Sequence, residues 1–424
     1  MKKLLAVLGT VMMVWAILGI GREAQAVSQW ARKYKVNCQT CHTAFPRLTY
    51  FGEKFQRNGY QMPDTEDGDE VGKEKIGDNL FIDVVNDFFG ARMSVSPATI
   101  TTNGLKEHNA EGTLRTKLSF GTTDWLQFFT AGSVFKDASI FIETEIGNTS
   151  IKNNWFYLTY NNILKGEGFG NLLNLRVGKL SVLNWFPQSG RLRMIPNINI
   201  EGLNNVKSSG GAPTTVTVQD QVNFSSPEAG LELFGYKGPF LYSAGVTNGA
   251  GITDDNQFKN VFGTLRMETT GGPIEGSSVA GSGYWGTNTG YTGLSTRKDR
   301  FWRWGAAANL RYKKWDVIGS YFFQHDNNWT LASTGPLVNK SKILSGQVGY
   351  LIDPLWFAAL QYDYVTDSFK NSTTVNSNYY NKVSPSIWYM PRENMRIGFV
   401  NRWELRGRPG GRQQEFLFNV RFML

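Results

Sequence analysis

The sequence predicts a mainly β protein, one large antiparallel barrel of about 16 strands behind a small helical N-terminal segment. Three observations predict it. Apolar and polar residues alternate with period two along most of the chain. Glycine (46 residues) and aromatics (14%) are abundant while charged residues reach only 19%, a balance suited to turn-rich β-structure. The 424 residues hold only two cysteines, so a fold of this size stands without a disulfide framework.

The elements follow in chain order. Lys2 and Lys3 precede an apolar run over residues 4–20, and "AQA" (residues 24–26) offers the small residues of a cleavage site. Residues 1–26 therefore read as a cleaved signal peptide. Residues 27–60 read as helical: Trp30 and Tyr34 are four apart, and Leu48, Phe51 and Phe55 share a face. Thr43 is placed to open the second helix with Pro46 in its first turn, and Gly59 supplies the stop after Lys54 and Arg57. Residues 62–78 carry seven acids against Lys73 and Lys75 and read as a solvated linker. Residues 27–78 thus make one small domain with its linker, and 79–424 the barrel.

From Leu80 the alternation sets in, as in "EAGLELFGYKG", "RWGAAANLRYKK", "KILSGQVGYLI" and "LWFAALQYDYV". Short turns ("YKKWDV", "YLIDPLW") join some neighbours, and polar, Gly-rich stretches at 271–300 and 367–382 read as long loops joining others. Short turns on one side with long loops on the other mark an outer-membrane barrel. In "EFLFNVRFML", Phe416, Phe418, Val420, Phe422 and Leu424 form an apolar face opposite Leu417, Asn419, Arg421 and Met423, as lipid outside and water inside require. Trp125, Trp155, Trp315 and Trp356 read as interface girdle residues. The net charge of +9 is spread along the chain, which argues against nucleic acid as a partner. "GEGFG" (residues 166–170) is a loop, since no helix follows it to make a phosphate site.

The chemistry lies in "NCQTCHTAFP". Cys38, Cys41 and His42 form C-x-x-C-H, the attachment signature of one covalent haem c. Two thiols at that spacing add to the two vinyl groups of one porphyrin, and the adjacent imidazole of His42 reaches the iron as proximal ligand. Structural zinc wants four Cys or His ligands, and outside the motif only His108 and His325 remain. Met62, between a helix stop and Pro63, is the candidate distal ligand. His108, a five-coordinate iron and the α-amine of Val27 stay open as alternatives.

"CQTCHTAFPRLTYFGEKFQRNGYQM" (residues 38–62), a haem motif followed by a Phe-Pro step and an "FG..F...GY" helix, resembles the fused monohaem cytochrome–porin family of the bacterial outer membrane, whose best-known members are outer-membrane iron oxidases. The resemblance implies a haem-bearing plug within a barrel in outer-membrane lipid. It implies electron transfer from extracellular Fe(II), or another extracellular donor, to a periplasmic carrier such as a soluble cytochrome. As an enzyme the chain would be a ferrous iron oxidase. Outward electron transfer to extracellular acceptors, and a solute porin with a haem-bearing plug, are the rival expectations.

Overall fold

A computed structural model describes residues 29–63, 73–77, 80–83, 85–103, 115–135, 137–147, 150–166, 168–189, 192–195, 227–249, 258–292, 295–329, 338–370, 375–406 and 413–423. The signal peptide, the acidic run 64–72, His108 and Leu424 lie outside the described residues, as does the side chain of Trp125. The N-terminal elements are α1 (Gln29–Tyr34), α2 (Cys38–Cys41), β1 (His42–Ala44), β2 (Arg47–Leu48) and α3 (Tyr50–Arg57). A hairpin of β3 (Lys73–Gly77) and β4 (Leu80–Asp83) and a turn of helix, α4 (Val85–Phe88), lead to the wall.

The wall is one closed barrel of 16 antiparallel strands. Its first four are β5 (Phe89–Asn103), β6 (Arg115–Phe135), β7 (Ala138–Ile146) and β8 (Ile151–Tyr160). Then come β9 (Asn174–Ser181), β10 (Pro227–Lys237), β11 (Phe240–Thr247), β12 (Asn260–Glu268), β13 (Ser278–Thr292) and β14 (Ser295–Tyr312). The last are β15 (Trp315–Asp326), β16 (Val338–Asp353), β17 (Trp356–Lys370), β18 (Val375–Arg392), β19 (Met395–Arg406) and β20 (Gln413–Met423). Each strand pairs with its chain neighbours, and β20 returns to β5, from Gln413 opposite Asn103 to Met423 opposite Arg92. Closure leaves no strand edge unpaired.

Side-chain alternation orients the wall. On β17, Leu360 is 46% exposed and faces outward, while its neighbour Gln361 is fully buried and faces in. On β20, Leu417, Asn419 and Arg421 are buried inside and Phe416, Phe418 and Phe422 lie half-exposed outside, as their alternation predicts, while Val420, expected among the latter, is buried beside a break in register. Trp315 stacks near Tyr350 at 4.5 Å and Trp356 near Tyr389 at 4.7 Å, both beside short turns, as girdle residues should. Trp155 does not join them. On β8 it is Phe156, Leu158 and Tyr160 that face out, so Trp155 shares the inner face with Tyr157 and packs against an interior aromatic cluster.

Two-residue turns join β6 to β7, β10 to β11, β14 to β15, β16 to β17 and β18 to β19, all at one mouth. Lys313 takes φ 52° in one of these turns, and the Asp353 carboxylate caps another by accepting from the amides of Leu355 (2.7 Å) and Trp356 (2.9 Å). The expected loops at 271–300 and 367–382 are mostly strand: β13 and β14 are separated by two residues, and β17 and β18 by four. Gly, Ser, Thr and Asn obscured these strands because they blur the apolar alternation from which a strand is read. The connection after β9 instead turns inward, burying Leu183, Phe186, Leu192, Met194 and Ile195 within the barrel.

Leu360→Arg places a cation on the outer face and is expected to cost about 2–4 kcal/mol in a bilayer unfolding titration. The same change at an outward position with no lipid contact would cost far less, so an unchanged midpoint contradicts the outward assignment of that face.

Candidate functional site

The C-x-x-C-H segment is built by two helix caps. The Asn37 side chain accepts from the Thr40 amide (2.9 Å) and hydroxyl (2.9 Å), starting the single turn α2 and setting Cys38 and Cys41 one turn apart. The predicted helix start at Thr43 is not observed. Pro46, with no N–H and with restriction on the residue before it, instead sits in the turn of the β1–β2 hairpin, joined by a cis Phe45–Pro46 bond. The helix begins at Tyr50, where the Thr49 hydroxyl accepts from the Gly52 amide (3.0 Å) and donates to the Thr40 carbonyl (2.8 Å). Gly52 has a packing reason: a Cβ there would stand 2.2 Å from the Cys41 carbonyl oxygen. The helix ends as expected, at Asn58 with Gly59 at φ 69°.

Residues 29–62 pack against inward-facing side chains near the short-turn mouth. The fully buried Arg47 pairs with Asp316 (Nε–Oδ2 2.6 Å, Nη2–Oδ1 3.1 Å) and donates to the Leu192 carbonyl (2.7 Å). Glu53 meets Arg266 (2.6 Å) and Arg311 (2.5 Å), and Arg57 meets Glu268 (2.7 Å). Burial alone would raise the Glu53 carboxyl, but Arg266, Arg311, Arg47 and Arg57 overcome it and hold it well below the usual carboxylate range. On the opposite flank Trp30 stacks on Tyr60 (4.7 Å), Tyr60 on Phe141 (5.3 Å), and the Tyr60 and Tyr157 hydroxyls lie 2.7 Å apart.

Beside the motif is an open cavity of about 250 Å³. Cys38, His42 and Phe45 line it from the N-terminal segment, with Pro354 and Leu355, Met390 and Met395, and Arg396 and Arg421 among the wall residues. Two contacts pin the motif to the turns at this mouth: the Cys38 amide donates to Glu393 (3.2 Å) and the Gln39 amide group to the Pro354 carbonyl (3.2 Å). Burial, assisted by Glu393 at Cys38 and by Cys38 at Cys41, pushes both thiols up to about 11. Burial, opposed by backbone groups at Pro46 and Arg47 and aided by Arg92 and Arg396, pushes His42 down to about 4. Its imidazole is therefore neutral at pH 7, the form that binds a metal, and its Nδ1 is buried without a hydrogen-bond partner.

The structure thus brings Cys38 and His42 to one cavity, with Cys41 one helical turn on. It does not bring Met62 there: Met62 packs against the aromatic cluster of Phe55, Tyr60, Phe141 and Tyr157. His325 stacks on Trp302 (5.4 Å) on the outer face, far from this lining. Among the described residues no group of three or more His, Cys, Asp or Glu could hold a metal ion by itself. The cavity's wall residues were not apparent from the sequence because they lie more than 300 positions from the motif. Their one sequence signal is polarity at inward positions, as in Asn419 and Arg421 of "FNVRF".

No protein-family model and no curated protein sequence matches the chain. Solved structures do match. An anion-selective porin from Comamonas acidovorans superposes with TM-score 0.51 at 12% identity, covering 79% of this chain and 99% of that one. OmpF of Salmonella typhi, in complex with daunomycin, gives 0.50 at 12% identity over 83% and 100% of the two chains. A loop-deletion form of OmpT, an outer membrane protein of Vibrio cholerae, gives 0.50 at 11% over 79% and 98%. At such identities the likeness is one of fold: the chain has the β-barrel fold of outer-membrane porins.

Arg47→Ala leaves the buried Asp316 with only the longer Arg311 ion contact (3.9 Å) and is expected to weaken docking of residues 29–62 by about 3 kcal/mol. Limited proteolysis should then cut within 29–62 while the barrel keeps its heat-modifiable gel mobility; unchanged protection contradicts the clamp. Because the Glu53 carboxyl is depressed, its contribution is complete above the ordinary glutamate value of about 4.3 and is lost only as pH falls through the lower folded value. Pepsin should therefore leave 29–62 intact near pH 4 (roughly the ordinary range) and cut it only in stronger acid. Gly52→Ala is expected to cost about 1–3 kcal/mol by overpacking against Cys41, read as a lowered melting temperature.

Proposed function

We propose that the chain is an outer-membrane cytochrome–porin. One haem c is bonded to Cys38 and Cys41 and ligated by His42, and single electrons pass between an extracellular donor such as Fe(II) and a periplasmic carrier. The observation that carries this reading is the seating of the C-x-x-C-H turn at an open cavity in the short-turn mouth of a closed barrel. Short turns face the periplasm in outer-membrane barrels, which supports a soluble periplasmic carrier as the partner at this mouth.

The residues suit the group. Haem c supplies reversible one-electron exchange at its iron, and the chain's own side chains do the rest. Cys38 and Cys41, one turn apart on a capped helix, would hold the porphyrin through thioether bonds to its vinyl groups. His42 offers a neutral imidazole without a proton having to leave first. Pro354, Leu355 and Met390 give the cavity an apolar side, and the ion pairs of Arg47, Glu53 and Arg57 keep the motif in register with the wall. One electron leaves Fe(II), yielding Fe(III), and one arrives on the oxidised carrier, with no group transferred. A wall methionine would be placed to serve as distal ligand, since Met390, Met395 and Met423 line the cavity and Met62 does not.

The purified protein should show a c-type haemochrome spectrum, and Fe(II) should reduce its ferric form. A ferric form that Fe(II) leaves oxidised removes the iron-oxidase reading, and a strongly negative midpoint reverses the direction of flow. Large single-channel conductance in the haem-loaded protein moves the assignment to a solute porin. Among Met62, Met390, Met395 and Met423, alanine at one of the last three should abolish the low-spin spectrum. Loss at Met62→Ala alone returns the ligand to the N-terminal segment.

A further inference from the structure

The cavity beside Cys38 carries an unbalanced charge. Arg392, Arg396 and Arg421 line it against a single acid, Glu393, which accepts from the Cys38 amide. Arg396 on β19 stands directly opposite Arg421 on β20, a like-charged cross-strand pair that disfavours the sheet unless something offsets it. Arg396 is only 4% exposed, and its Nε, Nη1 and Nη2 are all buried without a hydrogen-bond partner. Its guanidinium lies 4.5 Å from the Trp388 ring centroid and 5.5 Å from that of Phe45. Those ring faces attract the charge but accept none of its N–H groups in a planar bond. Arg421 (5.8 Å) and Arg92 (4.8 Å) approach the same Phe45 ring, and Arg92 is already engaged with the Gln127 side chain (2.8 Å).

A buried guanidinium with its fork open, inside a cationic lining, is a site for a planar oxyanion. The covalent group proposed for this cavity brings two such anions, the porphyrin propionates. We propose that Arg396 receives a propionate carboxylate of the haem held at Cys38 and Cys41, with Arg421 supporting the same charge, so that the wall strands β19 and β20 help set the haem's potential. The inference rests on the haem reading and makes Arg396 a positioning and tuning residue. Pairing with Arg396 offsets the carboxylate's preference for the ferric state. Without that cation the ferric form gains.

The test uses the full-length, haem-loaded protein in detergent, comparing wild type with Arg396→Gln and Arg396→Lys. Covalent haem is confirmed first, by mass and by haemochrome spectrum; a wild type that carries none overturns the haem reading and this inference together. With haem present, Arg396→Gln should raise the ferric-to-ferrous ratio at fixed potential about tenfold, a fall in midpoint of about 59 mV. The propionate bending band in resonance Raman should shift in both variants, while Arg396→Lys, which keeps the charge, should hold most of the midpoint. Intact haem with an unchanged midpoint and an unchanged propionate band in Arg396→Gln overturns the proposal. So does a wild-type midpoint that moves when chloride is exchanged for phosphate at constant ionic strength, since that marks a mobile anion at Arg396. If Arg396→Gln fails to fold, the Raman band in Arg396→Lys decides alone.

Discussion

Buried ion pairs between the N-terminal segment and the inner wall are the interaction on which the rest of the site depends. Sixteen strands enclose more space than their own side chains fill, and the polar inner face must be satisfied by water, by itself or by inserted chain. Arg47, Glu53 and Arg57 reach out from the segment to Asp316, Arg266, Arg311 and Glu268 on three different strands. Such pairs confer little net stability over apolar packing, but breaking one strands its partner. Their effect is therefore to fix one register of segment against wall. The two turns that touch the motif, at Pro354 and Glu393, are in reach only in that register.

The same register explains why the motif's chemistry is shared between distant parts of the chain. The Cys38–Cys41 turn is held locally by Asn37, Thr49 and the missing side chain at Gly52. What faces it across the cavity comes from β18, β19 and β20 and from the β16–β17 turn. A small domain of some 35 residues has too little interior to bury a large cofactor unaided. Here the barrel supplies the opposite wall, including apolar methionines and a cationic patch. The short segment supplies the Cys38–His42 motif, and the large scaffold supplies the apolar and cationic side chains that face it.

Location within the barrel also constrains function. The motif stands at the mouth where five two-residue turns gather, and the connection after β9 turns into the barrel. That connection buries Phe186 and Met194 in clusters with wall residues, and Leu192 is buried beside them.

The barrel was legible in the sequence because lipid on one face and water on the other force a period of two, as on β17 and β20. It was least legible where that constraint lapses: the polar strands at 271–300 and 367–382 lost their alternation and resembled loops, and Trp155 resembled a girdle residue because residue type alone does not say which face it takes. Cys38, Cys41 and His42 were legible as a group because their spacing is a local feature of the chain. Met62 is the nearest thioether along the chain and packs on the aromatic cluster of Phe55 and Tyr60, while Met390, Met395 and Met423 line the cavity. By itself the sequence determined the alternating wall and the C-x-x-C-H spacing, both short-range patterns. Only the tertiary structure decided which side chains meet the motif, because Arg396, Arg421 and Met395 come to Cys38 through docking of the N-terminal segment inside the closed wall.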